Sequence, residues 1–241
     1  MEIPYRVEHR NVKHPRLEFK DLQLLIILPH HTKDPTEIIA RRKAWIERKW
    51  SQIQEAIKNS GEAEGFMIFG EKYTIENADV NKPAIDHAQK KIILNPKNQK
   101  HTKQLLNQLK KLLRRKLEEI IGEYSAKTGF KPEKIMIRRQ RTKWGSCSSS
   151  GNISLNLKLI CLPEEMIRYI VHHEVTHLKH RKHNGAFWQT ISQEYPNYRQ
   201  IEKELLTQWF KTEKLLQNLT RPKKETLERM KEPFQTWRGK A

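Results

Sequence analysis

Hydrophobic and polar positions alternate over much of the first thirty residues, which predicts short β-strands there. The alternating stretches lead into the aliphatic run Leu24–Leu28. A helix is expected next, because Asp34 followed by Pro35 is typical of a helix N-terminus, and apolar side chains then recur at helical spacing as far as Ile57. Short strands are predicted again within residues 66–94.

From about Thr102 the pattern changes to a long amphipathic helix. Apolar side chains recur every three or four residues from Leu106 to Tyr124, which is the period of a helix with one buried face. Later residues predict two strands and then three shorter helices, with Pro163 opening the first helix: Ile135–Arg139, 152–158, 163–179, 185–193 and 197–219.

These elements predict an α+β protein with three parts. The 241 residues suit one large domain or two small ones. We expect a β-rich N-terminal region with one helix at residues 1–97, a second domain at residues 98–215, and a basic C-terminal extension at residues 216–241. The first boundary is placed at Asn95-Pro96, where the strand pattern gives way to the helical one.

The composition favours acidic partners and excludes several classes of protein. There are 47 Lys and Arg residues against 28 Asp and Glu, so the formal net charge is +19. Nucleic acid or nucleotides are therefore expected as possible partners of a basic surface. No apolar run approaches the ~20 residues that span a bilayer, so no membrane association is expected. The two cysteines cannot form a disulfide framework, and the start lacks a signal-peptide pattern, so a cytoplasmic location is expected.

The predicted helix that begins at Pro163 contains the motif His-Glu-Val-Thr-His. His173 and His177 are four residues apart, so both imidazoles lie on one face of the helix and can bind one cation. Glu174 follows the first histidine and can act as a general base towards a water. The alternative is a solvated basic helix whose histidines are incidental.

His183 is the predicted third ligand, six residues beyond His177. It can reach the other two only if the helix breaks after about Lys179, in a segment that contains no glycine. His172 points about 100° away from His173 on the helix, and His180 lies about 7.5 Å along the axis, so both are poorer candidates. Three imidazoles favour one Zn²⁺ ion, with Glu174 taking a proton from the water.

Several blocks around this motif resemble the YgjP-like metallopeptidase domain family, which is akin to the SprT-like and WLM zincins. The blocks, which match in order and spacing through residues 139–198, are Arg141–Ser148, Gly151–Asn156, Leu162–Glu165, His173–Leu178 and His183–Trp188. The β-rich N-terminal part is similar more loosely, and the resemblance covers residues 5–213 in all. The resemblance implies a minimal zincin-like catalytic core with zinc at His173, His177 and His183 and a base at Glu174.

The resemblance also implies that the strand at residues 152–158 forms the rim of the cleft. Its polar face, with Ser154 and Asn156, could pair with an extended peptide. Trp144 and Arg139 are further candidates for substrate binding, although the favoured role of Trp144 is to fill the core. The oxyanion-stabilising residue stays open among Tyr169, Tyr195 and Arg139. Three other residues, Cys147, Phe187 and Trp188, are expected to be structural.

The function predicted from these features is a zinc metallopeptidase that acts on a protein or peptide. A metal-dependent nucleotide phosphohydrolase is one alternative, which some proteins resembling the family suggest. However, the chain has only four Asp residues and none beyond Asp86, whereas such sites usually rely on carboxylates. A nucleic-acid-binding module is a second alternative, and it rests on the basic helix at residues 103–116 with Lys131, Arg138, Arg139 and Arg141. A DNA-associated protease would combine the two functions, as in the SprT-like and WLM relatives.

Overall fold

The computed structural model describes residues 2–20, 22–61, 65–95, 97–220 and 235–238. The chain divides into two compact units, which are residues 1–58 with 224–241, and residues 59–223. The strands are β1 (Glu2–Arg10), β2 (Arg16–Lys20), β3 (Gln23–Pro29), β4 (Phe66–Ile68), β5 (Glu71–Asn77), β6 (Ala84–Asp86), β7 (Lys91–Leu94), β8 (Ile135–Arg138), β9 (Gly145–Cys147), β10 (Ile153–Asn156) and β11 (Gln235–Arg238). The helices are α1 (Thr36–Asn59), α2 (Gln99–Thr128), α3 (Glu164–Lys179), α4 (Gly185–Glu194) and α5 (Tyr198–Thr220).

The first unit contains a four-stranded sheet in the order β11-β1-β3-β2, together with α1. Strands β1 and β3 are parallel, and the outer pairs are antiparallel. The aliphatic run is buried throughout β3, as expected of a central strand. At the start of α1 the Asp34 carboxylate accepts hydrogen bonds from the Thr36 amide and hydroxyl. The strands and the helix predicted here are therefore present.

The second unit contains two sheets and helices α2–α5. The order of one sheet is β4-β5-β7-β6 and that of the other is β8-β10-β9. The buried stripe of α2 predicted from the leucine spacing is present, and Leu109, Leu113 and Leu117 are fully buried. They belong to one hydrophobic cluster that also includes Phe66 and Ile92 from the first of these sheets.

The compact units differ from the predicted domains. Strands β4–β7 share a core with α2, so the boundary lies at Lys58 and not near residue 97. Helix α5 continues to Thr220, so residues 216–220 are helical and part of the same unit. Apart from β11, the rest of the predicted C-terminal extension lies outside the described residues. None of the helices in the described ranges is long and apolar enough to span a membrane.

Candidate metal centre

Helix α3 places the His-Glu-Val-Thr-His motif within a continuous helical segment. Its N-terminus is Pro163, and Glu164 in the first turn pairs with Arg168 one turn later at 2.8 Å. A carboxylate at this end is favoured by the helix dipole. The apolar face that anchors the helix in the core consists of Ile167, Ile170, Val171 and Val175.

The chain leaves α3 at the position required to bring His183 back to the motif. Helix α3 ends at Lys179, and His180 has an extended backbone with φ −112° and ψ 96°. Any residue can adopt these angles, which explains why the turn needs no glycine. The next helix, α4, begins at Gly185, where the Asn184 side chain accepts a hydrogen bond from the Phe187 amide at 3.1 Å. The break predicted after Lys179 is therefore confirmed.

Three imidazole nitrogens converge at this turn. The Nε2 atom of His183 lies 2.9 Å from Nε2 of His173 and 3.1 Å from Nε2 of His177. The three ligand atoms all lie within 4.8 Å of one another. Two nitrogen ligands of a tetrahedral zinc, each at ~2.05 Å from the metal, are about 3.3 Å apart. The donor set and its spacing therefore fit a single zinc ion.

The protonation of the cluster also suits a metal. Nδ1 of His177 lies 2.9 Å from the His180 carbonyl and donates to it, which leaves the Nε2 lone pair free to face the other rings. Burial lowers the pKa of His173 to about 3 and also lowers the pKa of His177. Both rings are consequently neutral at pH 7, which is the form that binds a metal.

Aromatic side chains hold the ligand rings in place. Phe187 is fully buried and stacks on His177 with 4.7 Å between ring centroids. Trp188 stacks on His183 at 5.6 Å, and Tyr198 stacks on Trp188 at 4.9 Å. The two aromatic residues expected to be structural thus pack directly against the ligands, which sequence spacing alone did not show.

Glu174 is almost fully buried beside the three histidines. Its side chain is only 6% exposed, and Oε2 has no hydrogen-bond partner in the described part of the chain. Burial raises the pKa of this carboxyl to about 7, while the charge of Lys143 acts in the opposite direction. An unpartnered buried oxygen with a pKa near neutrality is a group that can accept and release a proton.

Space for Glu174 depends on a glycine in β9. A Cβ at Gly145 would lie 2.6 Å from Glu174 Oε1 and 2.7 Å from its Cγ, closer than atoms of different side chains approach. Gly145 does not have a positive φ, so it is needed for room and not for its backbone conformation. This role of Gly145 was not predicted from the sequence.

A cleft of about 560 Å³ opens onto these groups. Its walls include β9, the motif face of α3, and the cationic side chains Lys143 and Arg181. Strand β9 is the edge strand of its sheet, and β10 is the central strand between β8 and β9. The prediction that the strand at residues 152–158 forms the rim is therefore wrong, because both edges of β10 are already paired. The rim strand is β9.

Comparison with known proteins shows the family of the chain. The model of the YgjP-like metallopeptidase domain matches residues 13–208, which is most of the chain. The chain belongs to the YgjP-like metallopeptidase family. The UTP pyrophosphatase of Escherichia coli (strain K12) is 48% identical over 40 residues, which are 17% of this chain and 24% of that protein, so the chain spans about a quarter of this relative. The metallopeptidase zymogen of Pyrococcus abyssi abylysin is 26% identical, covers 38% of this chain and 92% of its own, and has a TM-score of 0.35.

Two polar residues that were predicted to bind substrate have buried side chains, which form hydrogen bonds within the protein itself. Asn156 is 1% exposed, and its amide donates to the carbonyls of Gln140 and Lys143 at 2.8 Å each. Ser154 is 6% exposed and accepts a hydrogen bond from the Gln140 side chain at 3.2 Å. Because neither side chain has surface to offer, the structure assigns both to holding the loop before β9 and not to contact with substrate.

The remaining candidates occupy different places. Trp144 is half-buried, lines the cleft, and packs edge-on against Trp209 at 5.0 Å, so both of its predicted roles stay open. Arg139 is exposed and is absent from the cleft walls. Tyr169 lines the cleft and donates to Glu202 at 3.0 Å, whereas the Tyr195 hydroxyl bonds that of Tyr124. Of the three oxyanion candidates, Tyr169 is the one in the cleft wall.

Proposed function

We propose that this protein is a zinc-dependent metallopeptidase in which Glu174 is the general base. The observation that carries the proposal is the convergence of three imidazole nitrogens in an open cleft that an unpartnered, buried carboxylate also lines. Membership of the metallopeptidase family supports the same class of reaction. Among the described residues, this is the group of histidine, cysteine and acidic side chains whose spacing suits a metal ion.

His173, His177 and His183 would hold the zinc. When bound, zinc supplies a Lewis acid that lowers the pKa of a water and polarises a carbonyl. The Glu174 carboxylate would take the proton from that water and return it to the departing amine. Its raised pKa suits both steps, because a group with a pKa near 7 exchanges protons readily in either direction at neutral pH.

The free edge of β9 would bind the peptide as an added strand. The Asn156 amide donates to the Trp144 carbonyl, and the Ser148 amide donates to the Asn152 carbonyl. Because hydrogen-bonding direction alternates along an antiparallel strand, the backbone groups of Gly145 and Cys147 point away from β10. They lie in the cleft wall, so an extended backbone paired there would run beside Glu174.

The test uses purified protein loaded with one equivalent of zinc and a fluorescently labelled, denatured casein. The Glu174→Gln variant should retain zinc but lose activity by about 10²–10⁴-fold, because the amide cannot accept the proton. The His183→Ala variant should lose zinc affinity as measured by competition with a chelator. Undiminished casein cleavage by Glu174→Gln would exclude the general-base role.

Nucleotide hydrolysis is a second candidate, and one observation favours it. The relative that matches over 40 residues is a UTP pyrophosphatase, although only 24% of its length is aligned. Incubation with UTP, with and without chelator, would detect pyrophosphate release. Nucleotide hydrolysis would replace the peptidase proposal if two results were found together. The wild type would release pyrophosphate but Glu174→Gln would not, and the wild type would not cleave casein.

A further inference from the structure

One face of α2 carries a concentrated stripe of positive charge. Residues 99–117 of this helix contain no acidic side chain, and the first acid is Glu118. We call the following six residues the α2 stripe: Lys100, Lys103, Lys110, Lys111, Arg114 and Arg115. Five of them are exposed, and Arg114 is intermediate. The stripe is thus available to a partner in solution.

The α2 stripe is narrow and straight. At 100° and ~1.5 Å per residue, its six side chains fall within an arc of about 140° and extend over about 22 Å. The fully buried residues Leu105, Leu109 and Leu113 lie on the opposite side of the helix. Lys116 lies off the stripe and instead forms an ion pair with Glu164 at 3.1 Å. A rigid helix therefore presents the charges as a preformed line.

Nothing in the fold explains the stripe. In the described part of the chain only Arg114 has an acidic partner, Glu118 at 3.3 Å, and the other five stripe residues form no ion pair. Lys110 with Arg114 and Lys111 with Arg115 are like-charge pairs at a spacing of four residues, which destabilises a helix. Lys100 and Lys103 also lie near the positive end of the helix dipole. The arrangement weakens the isolated helix, and a bound polyanion would remove that cost.

Helix α1 shows that a high net charge does not by itself create such a stripe. It has five exposed basic residues, which equals the number of exposed residues on the stripe: Arg41, Arg42, Arg48, Lys49 and Lys58. However, acidic residues are distributed along the whole of α1, at positions 37, 47 and 55. The segregation of charge on α2 is therefore a property of that helix.

We propose that the α2 stripe binds the sugar-phosphate backbone of duplex nucleic acid. A duplex carries about one charge per 1.7 Å of its axis, so a 22 Å line of cations meets many phosphates at once. A small anion would instead need donors that converge on one point. An anionic membrane is a poorer partner, because helices that bind membranes insert an apolar face and that of α2 is already buried in the core.

The experiment measures binding of a fluorescently labelled duplex of about 20 base pairs by anisotropy, between about 50 and 200 mM salt. The stripe variant combines Lys103→Gln, Lys110→Gln, Lys111→Gln and Arg115→Gln. The matched control combines Arg41→Gln, Arg42→Gln, Arg48→Gln and Lys49→Gln. Both lower the formal net charge from +19 by four, to +15, and both change only exposed helical positions.

The stripe variant should bind at least about tenfold more weakly, and its slope of log K against log salt should fall by ~3–4, or ~0.9 per lost phosphate contact. The control should keep the slope of the wild type. A third variant with Lys103→Arg, Lys110→Arg and Lys111→Arg should bind as the wild type does, which separates loss of charge from loss of fold. Equal weakening in the control, or wild-type binding that is insensitive to salt, would overturn the proposal.

Two further arms identify the partner. The stripe variant and the wild type should sediment equally with vesicles that contain anionic lipid. Weaker sedimentation of the stripe variant would identify a membrane partner instead. Tighter binding of a single strand than of the duplex would contradict the choice of duplex. The zinc content of the stripe variant should equal that of the wild type, so this test is independent of the peptidase proposal.

Discussion

The packing of Gly145 against Glu174 makes Gly145→Ala a test of the base that leaves every proposed reacting group chemically unchanged. The added Cβ would lie 2.7 Å from Glu174 Cγ, whereas carbon atoms in contact prefer 3.5–4.0 Å. The carboxylate must therefore move by about 1 Å. The backbone at residue 145 tolerates alanine because its φ is not positive, so the strain falls on the glutamate.

A displacement of about 1 Å of a catalytic group can cost about 100-fold in rate, or about 2.7 kcal/mol of activation free energy. We therefore expect kcat of Gly145→Ala to fall by about 100-fold, with zinc content unchanged and a loss of stability of ~1–3 kcal/mol from overpacking. The assay is steady-state cleavage of labelled casein, combined with metal analysis and thermal unfolding.

Gly122→Ala is the matched control for this prediction. A Cβ at Gly122, within α2, would meet no atom within 4 Å, so activity should be unchanged. Gly145→Ala added to Glu174→Gln should cause no further loss of kcat, because the group it displaces is already inactive. Full activity of the zinc-loaded Gly145→Ala protein, or additive losses in the double variant, would refute the argument that this glycine acts through Glu174.

Two other predictions concern a buried amide and an ion pair within the second unit. Asn156→Ala should lower the free energy of unfolding in urea by ~1–3 kcal/mol, because two backbone carbonyls lose a donor from a buried side chain. Unchanged stability with a raised KM would instead indicate contact with substrate. Burial raises the pKa of Glu213, but the hydrogen bond and charge of Lys158 outweigh burial and hold that pKa below its usual value. The pair therefore stabilises the fold above the ordinary carboxyl pKa of ~4.3 and loses this effect as the pH falls. The difference in Tm between wild type and Glu213→Gln should be largest above about pH 5 and should shrink below about pH 4, and a constant difference would contradict the ion pair.

Local signals in the sequence were sufficient to predict that the three histidines of the candidate metal centre come together. The spacing of His173 and His177 places both rings on one face of any helix, and Asn184 marks the start of the next helix through its side-chain cap. The return of His183 could be predicted because only a break after Lys179 brings it within reach. These inferences hold because each depends on residues fewer than about a dozen positions apart.

The boundary between the units and the rim of the cleft depend on contacts between residues that are far apart in the sequence. At both places the structure differs from the prediction. The change from strand to helix pattern near residue 97 marks a change of secondary structure, not of core. Strand order posed the same problem, since β10 follows β9 in the chain but lies between β8 and β9 in the sheet. Similarly, the space that Gly145 leaves for Glu174 joins residues 29 positions apart and has no counterpart in local spacing.

For residues 152–158, the pattern predicted the strand correctly, but it did not show what the polar side chains bind. Ser154 and Asn156 do alternate with buried apolar residues, as expected of a strand, but all four residues of β10 are buried. The alternation of polar and apolar residues indicates that one face of the strand carries polar atoms, and those atoms require hydrogen-bond partners. It cannot tell whether the partner is water, a substrate or the protein's own backbone. Here the amide of Asn156 bonds two carbonyls of the loop that leads into β9, so its partner is the protein's own backbone.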